Sequence, residues 1–270
     1  MSRENWTDDK LIFRLINNKT EKSRWDNISA LRKRPSEELF FKCVELTKSK
    51  EAKGRSIGID ILAQLGLPPR PFLKKTLELY FELLEIETDP NVLMSILFAI
   101  GHNNDELSIE QIGKICSFQN SDNDLVKEGL VSALGFIDNL QAINVLVKLT
   151  EDKLNSIRDW ATFYIGQGER NNKKIRETLW NRVNDKHQET KLEAILGLAK
   201  RKDNRVNEII KREIINGEYG TLLFEAIIYT KNKDFLPLLQ QNLKYAEEDS
   251  SINPEWIEGL KNCINELTKN

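Results

Sequence analysis

Histidine, methionine and cysteine are nearly absent from this chain, with two, two and three residues among 270. His102 and His187 lie 85 positions apart, with no HxxxH or HxH partner. A histidine-based metal site therefore has no support, and no metal or cofactor is expected. Cys43, Cys116 and Cys263 are odd in number, widely spaced and form no CxxC pair. They read as reduced thiols that fill small core spaces. No run approaches the roughly 20 apolar residues of a membrane span. The opening MSRENWTDDKLIF lacks the basic-then-apolar order of a secretory leader, which points to a cytoplasmic protein with no membrane partner. Catalytic motifs are missing too. GRSIG (54–58) sits inside a helical pattern with no preceding strand, and there is no GxSxG elbow. The carboxylate-rich ELLEIETD and YAEEDSS read as solvated helix faces and ends. No catalytic residue is nominated, and a non-enzymatic protein is expected.

What the chain has is helix-forming material. Charged residues make up 30% and apolar residues 40%, and Leu, Ile, Ala, Glu and Lys dominate. Five segments share one register: NVLMSILFAIG (91–101), DLVKEGLVSALG (124–135), NSIRDWATFYIG (155–166), ETKLEAILGLA (189–199) and EYGTLLFEAII (218–228). Their closing residues, Gly101, Gly135, Gly166, Ala199 and Ile228, are 34, 31, 33 and 29 positions apart. A short polar turn and a second apolar stretch follow each one. Every unit is thus helix, turn, helix, and it buries its apolar side only by stacking on its neighbours. Asp152 and Asp185 stand just before two of the first helices, where an acceptor can cap free N–H groups. The predicted architecture is an all-α, right-handed solenoid of about seven hairpins in one continuous domain. Residues 1–88 hold irregular units, 89–249 regular repeats and 250–270 a capping helix that opens on Asn253-Pro254. Among the irregular units, RWDNISALRKR and SEELFFKCVELT pair across Pro35, and LPPRP (67–71) breaks the next hairpin.

VKEGLVSALG and IRDWATFYIG resemble HEAT-like repeats of the phycobilisome-lyase type, in which a β-branched residue and Arg or Lys open the helix. Val126-Lys127 and Ile157-Arg158 match that opening; Thr190-Lys191 departs at its first position, with a polar residue, and Tyr219-Gly220 departs at both. The order RSIGIDILAQ, IRDWATFYI, EAILGLAKRKDNRV and FLPLLQQNLKY is similar to bacterial HEAT-repeat immunity proteins encoded beside Rhs polymorphic-toxin genes. That resemblance implies a toxin domain as protein partner, neutralised by occlusion, and a free chain that is monomeric.

Trp160 is the residue that repeat register singles out. Counting from Ile157, Ala161, Tyr164 and Ile165 form the inward stripe. Trp160 lies at its border, in a slot held elsewhere by Ser95, Gly129, Glu193 and Leu222. A slot that accepts both Gly and Glu is not demanded by the core. Trp160 either packs into the space beside Gly129 or anchors a partner together with Arg158, Asp159 and Phe163. Lys127, Glu128 and Lys191 occupy the corresponding opening positions of neighbouring units. A second candidate is the basic edge formed by Lys200, Arg201, Lys202 and Arg205. Residues 170–212 carry 13 Lys/Arg against 6 Asp/Glu, in a chain whose net charge is −2. Such asymmetry suits electrostatic steering. The alternative reading is a HEAT-like DNA-binding or alkylpurine-glycosylase-like repair protein, since SRWDN and IRDWA offer Trp, Asp and Arg. The mildly acidic chain disfavours nucleic acid.

Overall fold

The computed structural model describes residues 3–17, 20–217 and 219–269. Every regular element among them is helical, as the repeat pattern predicts. The chain divides into two compact units, Met1–Val145 and Leu146–Asn270. The first contains α1 (Asp8–Ile16), α2 (Glu21–Arg32), α3 (Glu37–Leu46), α4 (Ala52–Gln64), α5 (Leu73–Ile86), α6 (Pro90–Gly101), α7 (Ile109–Cys116) and α8 (Asp124–Ala133). The division falls within α9 (Leu140–Leu149). The second contains α10 (Asn155–Gln167), α11 (Lys173–Trp180), α12 (Gln188–Lys200), α13 (Val206–Asn216), α14 (Thr221–Thr230), α15 (Leu236–Glu248) and α16 (Pro254–Lys269). Glu218, which opens the fifth repeat segment, lies outside the described residues.

Packing follows the hairpin logic of an α-solenoid. In the first unit α3 packs on α4, α4 on α6 and α6 on α8; in the second, α10 packs on α12, α12 on α14 and α14 on α16. Apolar residues at helical spacing create these ladders. Ile57 and Ile61, Val92 and Ile96, Val126 and Leu130, Ile157 and Ala161 are all buried. Each large aliphatic removed from water contributes about 1.5–3 kcal/mol. Neighbours in sequence pack as well, α1 on α2, α5 on α6, α11 on α12 and α15 on α16 among them. The helix α1 was not foreseen from the sequence.

Small residues set the spacing inside the ladders. A Cβ added to Gly197 would lie 2.7 Å from the Cα of Gly166, so α12 and α10 cross backbone against backbone. A Cβ on Gly101 would lie 2.7 Å from the carbonyl oxygen of Ser132, giving α6 the same close approach to α8. The three cysteines are free and buried, and burial pushes the Cys43 and Cys263 thiols up to about 12. Asn253 caps α16, its Oδ1 accepting from the Glu255 N–H at 2.8 Å. No described helix is long and apolar enough to cross a membrane.

Candidate functional site

The face built by α10, α12 and α14 collects the residues that sequence reasoning singled out and some that it passed over. On α10, Ile157, Ala161 and Ile165 point into the core, and Trp160 stands beside them with 51% of its surface exposed. A Cβ added to Gly129 would meet the Leu97 side chain at 2.8 Å and the Met94 Cα at 3.2 Å, so α8 lies tight against α6 there. Trp160 belongs to an aromatic cluster on its own helix. Its ring meets Phe163 edge-on at 5.6 Å and Tyr164 at 5.9 Å, and Phe163 meets Tyr164 at 5.3 Å. The i, i+3 and i, i+4 spacings place all three on one side.

Carboxylates gather beside these rings. Asp159 takes a hydrogen bond from Thr190, yet its Oδ1 atom is buried without a partner. Burial raises its pKa, helped by Glu189 and Asp185, with His187 and Thr190 opposing. Glu193 occupies on α12 the slot that Trp160 holds on α10, and it is 8% exposed. Burial pushes its carboxyl up to about 7; nearby Asp159 and Glu225 reinforce the rise, while Gln167 and Lys200 oppose it. Gln167 donates to Glu193 from Nε2 at a long 3.4 Å. Glu225 on α14 is exposed and forms no ion pair among the described residues. Tyr229, a turn further along α14, is also exposed, with the Lys200 ammonium 5.4 Å from its ring centre. The result is an aromatic face on which Glu225 is the exposed carboxylate, with Asp159 half-buried and Glu193 buried beside it.

Other nominated residues serve the fold. Arg158 holds the buried Asp185 carboxylate with both ends of its guanidinium, at 3.0 and 2.8 Å, and donates to the Asp152 and Lys153 carbonyls. Asp185 is thereby held well below the usual carboxylate range, by the Arg158 bonds together with the His187 N–H, against its own burial. Its main role is this bidentate pairing. Lys191 pairs with buried Glu213 at 2.5 Å, and Lys127 with Asp124 at 3.2 Å. Glu128 is half-buried on α8.

The basic edge is a correction. Arg201 is only 7% exposed, and its guanidinium donates to the carbonyls of Ile165, Gly166, Gly168, Arg170 and Gly197 at 2.6–3.0 Å. It closes the ends of α10 and α12 rather than facing solvent. Lys200 bonds Gln167, and Lys202 bonds the Tyr229 carbonyl. Arg205 grips Asp203 at 2.8 and 2.9 Å, pairs with Glu177 at 2.9 Å and stacks 4.8 Å above Trp180. Arg201 is thus taken up inside the fold, while Lys202 and Arg205 have partners yet stay exposed. Among the described residues no cluster of His, Cys, Asp and Glu side chains could hold a metal ion.

Escherichia coli YibA shares this architecture. The curated YibA proteins of strain K12 and strain O157:H7 are each 27% identical to this chain over 263 residues, covering 94% of it and 91% of their own length. The crystal structure of E. coli YibA superposes with a TM-score of 0.76 at 21% identity, spanning 99% of this chain and 94% of YibA. No family model matches the chain. YibA therefore supports the helical-repeat fold throughout the length.

The missed residues left partial signals in the sequence. Glu193 shares a register slot with Trp160, but only the packing of α12 between α10 and α14 reveals its burial beside two other carboxylates. Glu225 and Tyr229 had no distinguishing spacing.

Proposed function

We propose that this chain is a protein-binding scaffold, and specifically an immunity or adaptor protein that neutralises a toxin domain by covering it. The observation that carries the reading is Trp160, half exposed amid an aromatic cluster and flanked by Asp159, Glu193 and Glu225. A large exposed aromatic on a rigid helix is the kind of residue that dominates interface energies. The carboxylates select a cationic partner surface. A Lys or Arg stacking on the indole gains a cation–π contact while pairing with Glu225 at the rim. Similarity to YibA supports the scaffold and is silent on the target.

Co-expression with the product of each neighbouring gene tests the reading, scored by rescue of growth and by calorimetric titration of purified pairs. The expected result is one cognate partner whose affinity falls about 30-fold or more, roughly 2 kcal/mol, in Trp160→Ala. The stability of that variant should stay within about 0.5 kcal/mol of the parent, as for other exposed substitutions. Equal affinity of parent and Trp160→Ala would remove this face as the docking site, and failure of every neighbouring product to bind would count against immunity itself.

A further inference from the structure

The C-terminal ends of α2, α4 and α6 meet along one edge of the first unit, where three turns lie side by side. The Gly66 N–H donates to the Arg32 carbonyl at 3.1 Å, and a Cβ on Gly66 would lie 2.7 Å from Pro71 Cδ and 3.6 Å from Pro35 Cβ. The turn after α4 is thereby seated against the end of α2. Asn103 ties the third turn to it: this side chain is 5% exposed and donates to the Ala63 carbonyl at 3.2 Å. Asn103 also fixes a cation. Its Oδ1 accepts from Arg70 Nη1 at 2.6 Å, and the His102 carbonyl accepts from the same nitrogen at 3.3 Å.

Arg32, Arg70 and His102 come together on this edge with no carboxylate bonded to any of them. Among the described residues neither arginine forms an ion pair, and the Arg32 side chain makes no hydrogen bond. Both Nε atoms are buried, so these face the protein. The terminal nitrogens, apart from Arg70 Nη1, are neither bonded nor sealed from solvent. His102 is exposed, and its ring has no hydrogen-bond partner. The three groups act on one another. Burial and then Arg32 lower the pKa of Arg70, with Tyr80 and exposed Asp105 opposing. Partial burial, Arg70 and Arg32 lower that of His102. The partial negative charge at the ends of α2 and α6 favours cations here, yet the cluster still repels itself.

We propose that this edge binds a doubly charged oxyanion of the phosphate type, held between the guanidiniums of Arg32 and Arg70 with His102 beside them. Arg32 offers both terminal nitrogens and Arg70 offers Nη2, and planar guanidiniums match phosphate oxygens in geometry as well as charge. Two fixed cations, and an imidazole able to become a third, suit a dianion better than a single carboxylate. The group is gripped at the surface, with the rest of its carrier in solvent. This site belongs to the first unit and does not depend on the Trp160 face.

His102 is itself the reporter. The chain has two histidines, hence two sets of ring signals in a ¹H–¹³C spectrum, and His102→Gln identifies the relevant one. Inorganic phosphate, sulfate and glycerol phosphate are titrated separately at constant pH and ionic strength, with acetate and chloride as references. The His102 signal should move saturably with the dianions, while that of His187, in the second unit, stays in place. Tighter binding of glycerol phosphate than of phosphate marks an ester as the source, and equal or weaker binding marks the free anion. A bound dianion favours the imidazolium, so the His102 pKa should rise at saturating sulfate, and sulfate should bind more tightly as pH falls. Arg32→Met removes a side chain that makes no internal bond, and it should weaken sulfate binding roughly tenfold. A His102 signal that ignores phosphate and sulfate, follows acetate or chloride equally, or titrates identically in Arg32→Met overturns the proposal.

Discussion

Glu193 and Trp160 stand in one register slot, yet neighbouring charge and burial give them opposite behaviour. The folded Glu193 carboxyl holds its proton up to about pH 7, against 4.5 for an ordinary glutamate. Between those values the folded state carries more protons than the unfolded one, so the contribution of this residue to stability falls as pH rises through that window. Glu193→Gln should flatten that dependence and stabilise the protein at about pH 8 by roughly 1–2 kcal/mol, solvent screening part of the effect. Urea unfolding of parent and variant at about pH 5 and pH 8 measures it. An unchanged difference between the two pH values would mean that Glu193 stays ionised throughout. Trp160 was legible as a border residue from register alone. Its exposure was not, because register says which side of a helix a residue occupies and not what lies opposite.

At the scale of elements, the close approach of successive first helices leaves carbonyl groups at their ends that need donors. Arg201 answers this in the second unit by reaching across from α12 to the last turn of α10. In the first unit Asn103, two residues beyond the closing Gly101 as Arg201 is two beyond Ala199, donates to the carbonyls of Ala63 and Ala99 at 3.2 and 2.8 Å. The same place in two repeats therefore carries a polar staple of different length. Arg201→Met removes the donors but keeps much of the aliphatic stem, and it should cost about 3 kcal/mol or more by leaving buried carbonyls unsatisfied. Lys202→Met, at an exposed position next door, should cost under about 1 kcal/mol. Denaturant midpoints of the two variants separate the roles; equal midpoints would return Arg201 to the surface. The run KRKDNR looked uniformly basic because composition cannot distinguish an arginine wrapped in carbonyls from one in water. The helix α1 was missed although Thr7 caps it, Asp8 and Asp9 fill its first turn and the buried Leu11 and Leu15 are four apart; it falls outside the repeat register that guided the reading.

For the whole molecule, a net charge of −2 conceals an uneven distribution. Arg176, Arg182, Lys191, Arg205 and Arg212 pair with Asp185, Asp203, Glu177 or Glu213, whereas Glu225 stands exposed on α14. On the proposed reading, attraction between this face and a cationic partner is long-ranged and screened by salt. Raising ionic strength from about 0.05 M to 0.5 M should slow association by roughly tenfold or more and leave dissociation nearly constant, because the aromatic anchor is insensitive to screening. Stopped-flow association rates at several salt concentrations test this; rates that do not change with salt would remove the acidic residues from the encounter.

The sequence by itself determined the all-α repeat architecture, the places where helices begin and turn, and the register that relates one hairpin to the next. These follow from local rules, since apolar spacing, capping residues and small closing residues act over a few positions. Tertiary structure alone decided which charges are neutralised, which aromatic is displayed and which donors are left open. Those properties depend on groups some 20–40 positions apart in the chain, such as Arg201 with Ile165, Glu193 with Asp159 and Glu225, and Arg34 with Trp6. Burial and pairing are set by the surroundings, and helices supply their surroundings only once stacked.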